Sequence, residues 1–183
     1  MQTSLGIKEK VVAQIWLITD SSRGLGRALA EAVLTAGDKL VATARKPEQL
    51  ADLVERFGDQ VRAVALDVTN EQAAAHAVAV TRETFGRLDV LVNNAGYGDI
   101  SPIEDTSLDE FRAQIETNLF GVINVTKAAL PLMREQGAGH ILQFSSVGGR
   151  IGPVGRAPYA AASGASKASP KCSPKRSGPS ESK

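Results

Sequence analysis

The sequence predicts a doubly wound α/β fold built on a parallel sheet. Five short apolar runs rich in β-branched residues lie at 11–18, 39–43, 61–66, 88–93 and 140–145. Their hydrophobicity is nearly continuous, as expected of strands covered on both faces. The segments between them carry apolar residues at helical spacing, so strand and helix alternate along the chain.

The elements follow in order. The first run, VVAQIWLI at 11–18, leads into a glycine-rich turn and then a helix with Leu25, Leu29, Val33 and Ala36 on one face. The second and third runs are shorter. After the third, Ala74, Ala77, Val78, Thr81 and Phe85 mark another helix face. The fourth run, LDVLVN, is followed by a long helix predicted over about 108–135, with Phe111, Ile115, Leu119 and Val122 inward. The fifth run ends just before Ser146. Five strands are expected in one domain, residues 1–162.

Residues 163–183 differ in character. Ser, Pro, Lys and Gly dominate, with no aromatic or large aliphatic side chain. Such a segment buries too little apolar surface to offset its ordering entropy, so a disordered tail is expected. It carries Lys167, Lys171, Lys175, Arg176 and Lys183 against Glu181, a net of +4 in a chain whose total is +1, leaving −3 for the rest.

Bulk properties bound the function. A length of 183 residues suits one domain with a sizeable core. The balanced charge gives no reason to expect a nucleic-acid partner, and the basic tail has no aromatic residue for base stacking. No apolar stretch is long enough for a membrane span, and residues 1–10 lack a secretory signal's apolar run, so a cytoplasmic protein is expected. The single cysteine, Cys172, permits no internal disulfide. His76 and His140 stand apart from any metal-ligand cluster and read as structural or surface residues.

The turn Thr19-Asp20-Ser21-Ser22-Arg23-Gly24-Leu25-Gly26 carries the first chemical signal. Glycines at a strand-to-helix turn let the backbone approach a pyrophosphate, which then sits on the helix N-terminus. An ordinary glycine-rich turn would look the same in isolation. Later residues add to the signal: Asp67-Val68 after the third strand and Asn93-Asn94-Ala95-Gly96 after the fourth. Asn118 lies in the long helix, Ser146 follows the fifth strand, and Tyr159 stands thirteen residues further on. In order and spacing, residues 11–162 resemble the short-chain dehydrogenase/reductase family, whose cofactor turn reads T-G-x-x-x-G-x-G.

The resemblance implies a Rossmann-like, NAD(P)-dependent oxidoreductase that moves a hydride between the cofactor and a small-molecule carbonyl or alcohol. Thr19, Ser21, Ser22, Arg23, Gly24, Leu25 and Gly26 match the turn around the cofactor's phosphates and ribose. Asp67 and Val68 match the adenine contacts, and Asn94, Ala95 and Gly96 the cofactor wall. Lys127 matches a basic position sometimes grouped with the cofactor site, although as a sequence feature it reads better as a solvated helix residue. Tyr159 would move the proton and contact the cofactor, Ser146 would hydrogen-bond the substrate oxygen, and Asn118 would hold a water in a proton relay.

Cofactor choice can be argued from charge. A 2′-hydroxyl is usually held by an acid at the end of the second strand, whereas a 2′-phosphate needs positive charge. That strand ends Thr43-Ala44-Arg45-Lys46, with no acid, and Arg23 lies in the phosphate turn. Arginine suits bidentate phosphate contact, so NADP is expected over NAD. The competing reading makes Arg45 and Lys46 the start of a solvated loop.

Two departures from the family pattern predict impairment. Asp20 occupies the first turn glycine, where a positive φ would strain it and its carboxylate would oppose a bound phosphate. Ser163 stands four residues after Tyr159, where the family places a lysine that holds the nicotinamide ribose and lowers the tyrosine's pKa. A tyrosine free in water has a pKa of about 10, so only about one part in a thousand is ionised at pH 7. The tail suggests a cause. Shifted by one base, residues 163–183 can encode KWGVEGFSEVLAQEVGPLGIK, which opens on the missing lysine. Ser166, Ser169, Cys172, Ser173, Ser177 and Ser180 then decode as large apolar residues at helical spacing. A frameshifted, truncated member is therefore expected. The family's next helix, its last two strands and its substrate lid would be lost, and the homo-oligomer that uses that helix would be in doubt.

Overall fold

The computed structural model describes residues 12–167. Its centre is a five-stranded parallel sheet in the order β3-β2-β1-β4-β5. The strands are β1 (Ile15–Ile18), β2 (Lys39–Ala44), β3 (Val61–Ala65), β4 (Val90–Asn93) and β5 (His140–Gln143). In register, Leu17 stands beside Val41 and Leu91. Each expected strand is present, with its ends drawn in or out by a few residues.

Helices cover both faces, which explains the unbroken apolar runs. On one face Leu17, Val41 and Leu91 meet α3 (Glu71–Phe85) through Ala74, Ala77 and Val78, and α5 (Gly121–Gln136) through Val125, Ala129 and Met133. On the other face Ile18, Leu40, Ala42, Val90 and Val92 meet α1 (Gly24–Thr35) through Ala30, Val33 and Leu34. Leu53 of α2 (Ala51–Phe57) joins that second cluster. Neighbouring strand residues point to opposite layers, so every residue of β4 is buried.

Several expectations are corrected. The helix predicted over 108–135 is present as one continuous helical run, α4 (Leu108–Ile115) passing into α5 through a π-turn at Glu116–Phe120 that the sequence did not announce. Phe111, Ile115 and Leu119 are only half-buried, while Gln114 is buried and donates to the Tyr97 carbonyl. Leu25, expected on the inner face of α1, is 59% exposed, and Gly26 faces inward in its place. Helix α2 and the short helix α6 (Gly148–Ile151) had no sequence signal strong enough to place them.

The tail boundary moves as well. Helix α7 runs over Ala157–Lys167, so residues 163–167 are helical rather than part of the expected tail. The alanines of 157–162 favour helix, and the Ser166 hydroxyl donates back to the Ser163 carbonyl at 3.1 Å. Residues 168–183, including Cys172, lie outside the described residues. Among the described residues β5 is a sheet edge, with Leu142 48% and Phe144 43% exposed. No helix among them is long and apolar enough to cross a membrane.

Candidate functional site

The site is built where β1 and β4 end. Thr19 and Ser21 are buried, and their hydroxyls serve the protein's own backbone. Thr19 Oγ1 accepts from the N–H groups of Asn94 (2.9 Å) and Ala95 (2.8 Å). Ser21 Oγ donates to the Ile18 carbonyl at 2.9 Å. The Asn94 amide donates to the carbonyls of Thr19 and Asp20, both at 3.0 Å. These bonds lock the turn after β1 against the loop after β4. Gly26 sits inside that lock: a methyl group there would fall within the van der Waals envelope of the Asp20 carbonyl and the Asn94 amide.

This turn fits a pyrophosphate. Helix α1 begins at Gly24, which has φ +55°, and its first turn has neither a capping side chain nor an acid. Its leading N–H groups are therefore free of side-chain partners, the arrangement that favours an anion. Asp20 is the exception. It adopts φ +53°, the sole non-glycine in that region among the described residues. Its carboxylate accepts from Ser22 Oγ at 3.2 Å and lies 4.0 Å from Arg23 Nε.

Two cavities open from the turn. The first, about 650 Å³, is lined by Asp20, Arg23, Arg45, Asp67 and Val68 among others. One Asp67 oxygen is held by the N–H (3.0 Å) and hydroxyl (2.7 Å) of Thr69. The second, about 340 Å³, is lined by Leu25, Asn118, Tyr159 and Ser163, with Arg156 at its wall. Ala95, Gly96 and Tyr97 line both, so the two adjoin along the loop after β4. Leu25 is exposed because it faces this second cavity rather than the core.

Tyr159 is held by close backbone approach. A methyl on Gly98 would lie 2.8 Å from its ring, and one on Gly148 would lie 3.6 Å from the ring and 3.3 Å from Ser146 Oγ. Ser146 and Tyr159 thus flank the same glycine, and Ser146 Oγ accepts from the Gly148 N–H at 3.0 Å. Asn118 lies in the π-turn with its amide committed to one partner. It accepts from the Tyr97 N–H at 3.0 Å and donates to the Tyr97 carbonyl at 2.6 Å. The side chain therefore fixes the 97 loop.

Ser163 follows Tyr159 by one helical turn and lines the same cavity while only 7% exposed. Its carbonyl accepts from Ser145 Oγ at 3.2 Å. The position lies where a side chain could reach the tyrosine, and it carries a hydroxyl. Among the described residues Arg156 is the basic side chain lining this cavity. Sequence reasoning did not single it out, although its place three residues before Tyr159 was a usable signal. Lys127 is exposed on α5 and lines neither cavity. No cluster of residues able to hold a metal occurs among the described residues.

A parallel sheet whose first strand enters a helix through a glycine turn, with adjoining cavities at the carboxyl ends of the strands, defines the class of dinucleotide-binding α/β proteins. Within that class, the chain belongs to the short chain dehydrogenase family, whose model matches residues 14–171. It is 54% identical over 152 residues to the oxidoreductase BOA17 of Botryotinia fuckeliana, covering 82% of this chain and 56% of that protein. It is 40% identical over 139 residues to a 3-ketodihydrosphingosine reductase of Bacteroides thetaiotaomicron, covering 76% and 49%. Among solved structures, a short-chain dehydrogenase from Streptomyces avermitilis superposes with a TM-score of 0.83 at 40% identity, covering 87% of this chain and 58% of that one. The chain thus spans about half the length of the curated relatives it matches. The family's cofactor is a nicotinamide dinucleotide.

Proposed function

We propose that this scaffold is that of an NADP(H)-dependent oxidoreductase acting on a carbonyl or alcohol carbon, with proton transfer impaired in this chain. The observation that carries the reading is the adjacency of the two cavities: Ala95, Gly96 and Tyr97 form a wall shared by the Arg23/Arg45 cleft and the Tyr159 cavity. When bound, the dinucleotide would supply or accept the hydride. Arg23 and Arg45 would hold its 2′-phosphate, the first turn of α1 its pyrophosphate, and Asp67 and Val68 its adenine end. Tyr159 would give a proton to the substrate oxygen or take one from it, with Ser146 orienting that oxygen. Asn118 would act by holding the Tyr97 backbone, with a relay water as a further role. One relative's name, a keto reductase, supports carbonyl reduction as the reaction class.

Impairment is read from Ser163, which puts no charge beside Tyr159, and from Asp20, which puts a carboxylate beside the cofactor cleft. A one-base frameshift near codon 162 would account for the serine at 163. Position 166 is buried, and the alternative frame places valine there where this chain has serine. Sequencing the gene across codons 155–183 decides it. The same serine at 163 favours a second reading, a nucleotide-binding protein without turnover. NADPH consumption with a panel of small ketones tests the first reading: slow turnover abolished by Tyr159→Phe is expected. Turnover indifferent to that substitution would remove Tyr159 from the chemistry, and binding without turnover would select the second reading.

A further inference from the structure

The turn after β1 holds its own anion. Asp20 takes the Ser22 hydroxyl at 3.2 Å and lies 4.0 Å from the Arg23 guanidinium. It keeps this place at φ +53°, a backbone region that most side chains avoid and that Asp and Asn enter at a modest cost. Both Asp20 and Arg23 line the cleft with Arg45 and Asp67, and neither lines the cavity that contains Tyr159. Asp20 therefore shares its cleft with Arg45, just after β2, and not with Tyr159. The charged residues lining that cleft are the carboxylates of Asp20, Asp67 and Glu116 and the guanidiniums of Arg23 and Arg45. Asp20 is what tips their balance to a net negative charge.

We propose that Asp20 sets the cofactor choice of this cleft. Its carboxylate engages Arg23 and Ser22, groups that a 2′-phosphate would otherwise take, and so levels the preference for NADP(H) over NAD(H). The inference rests on the reading that the cleft holds a nicotinamide dinucleotide. The physical reason is selective repulsion. A dinucleotide that ends in a ribose hydroxyl brings a neutral donor, which a carboxylate accepts. One that carries a 2′-phosphate brings about two negative charges to the same end. At a separation of about 6 Å in a water-like dielectric, a carboxylate opposes that phosphate by about tenfold in affinity. The pyrophosphate is common to both cofactors, so its repulsion cancels in their ratio.

The test is a calorimetric measurement of Kd for NADPH and for NADH on the full 183-residue chain, in wild type, Asp20→Asn and Asp20→Gly. Asparagine removes the charge while tolerating positive φ, and glycine also removes the backbone strain. Both variants are expected to tighten NADPH about tenfold more than they tighten NADH, so that the ratio of the two Kd values shifts about tenfold toward NADPH. Equal tightening for the two cofactors, or tightening for neither when wild type binds both, overturns the inference and leaves the dinucleotide site standing. Absence of binding in wild type and in both variants, with circular dichroism showing folded protein, overturns the site and the inference together. If Asp20→Asn fails to fold, Asp20→Gly decides, because glycine accepts the turn's backbone without strain.

Discussion

Ser163→Lys is the perturbation that most sharply tests the reading of impairment. Ser163 lies one helical turn after Tyr159 and lines its cavity, so a lysine there can place its ammonium beside the phenol. Side chains four apart on a helix stand about 6 Å apart, and at an effective dielectric of about 20 a unit charge at that distance is worth about 2.8 kcal/mol, or about two pH units. The sign favours the ionised phenol, because a neighbouring cation stabilises a developing negative charge. On the proposed mechanism Tyr159 would accept the proton in the alcohol-oxidation direction, so the rate would follow the ionised fraction. The rise of kcat/KM with pH should therefore begin about two units lower in Ser163→Lys than in wild type, with a gain of about a hundredfold at pH 7. The assay is NADP⁺ reduction with a simple secondary alcohol across pH 6–10, beside a calorimetric check that cofactor binding persists. A variant that binds cofactor yet keeps the wild-type pH profile would refute the reasoning.

Other substitutions probe the frame around the site. Asn118→Ala removes both hydrogen bonds to the Tyr97 backbone and should cost about 1–2 kcal/mol of stability. Faster amide exchange at Tyr97 checks the loss, and unchanged exchange would deny Asn118 its positioning role. Ser107 and Glu110 form a capping box at the start of α4, and the Ser107 hydroxyl, followed by the Ser107 N–H, holds the Glu110 carboxyl below the ordinary carboxylate range. A carboxyl lowered in the folded state contributes fully above its unfolded value, and that contribution fades as pH falls through the lowered value. Losing a serine N-cap costs about 1 kcal/mol, so Ser107→Ala should lower stability at pH 7, and its deficit should shrink below about pH 4. Denaturant melts at pH 3 and 7 compare the two; a deficit equal at both would exclude the Glu110 contribution. Leu142 and Phe144 stand exposed along the β5 edge, an arrangement that invites strand pairing between molecules. Leu142→Lys should reduce concentration-dependent light scattering, and scattering unchanged by it would place self-association elsewhere.

The sheet was legible in the sequence because burial on both faces writes itself as unbroken apolar runs, and β1 to β5 all appear where those runs fall. The glycine turn was legible for a similar reason: Gly26 is dictated by the close approach of Asp20 and Asn94. What stayed hidden depended on tertiary partners. The π-turn at Glu116–Phe120 leaves no break in the apolar spacing, since Phe111 to Val122 still reads as one face. Leu25 matched the core period of α1 yet faces a cavity, which periodicity cannot distinguish from a core. Thr19 and Ser21 sit in the cofactor motif, but their hydroxyls hold the backbone that shapes it. Ser163 to Lys167 have the composition of the tail, whereas a helix already propagating through Ala157–Ala162 extends through them.

The measurement that bears most directly on the account is an NADPH titration of the full chain beside its Gly26→Ala variant, with circular dichroism to confirm that both are folded. A methyl at position 26 would push apart the Asp20 carbonyl and the Asn94 amide, the contact that shapes the phosphate turn. The account predicts saturable one-to-one binding in wild type and its loss in folded Gly26→Ala. Absence of binding in wild type, or equal binding in the variant, would contradict it.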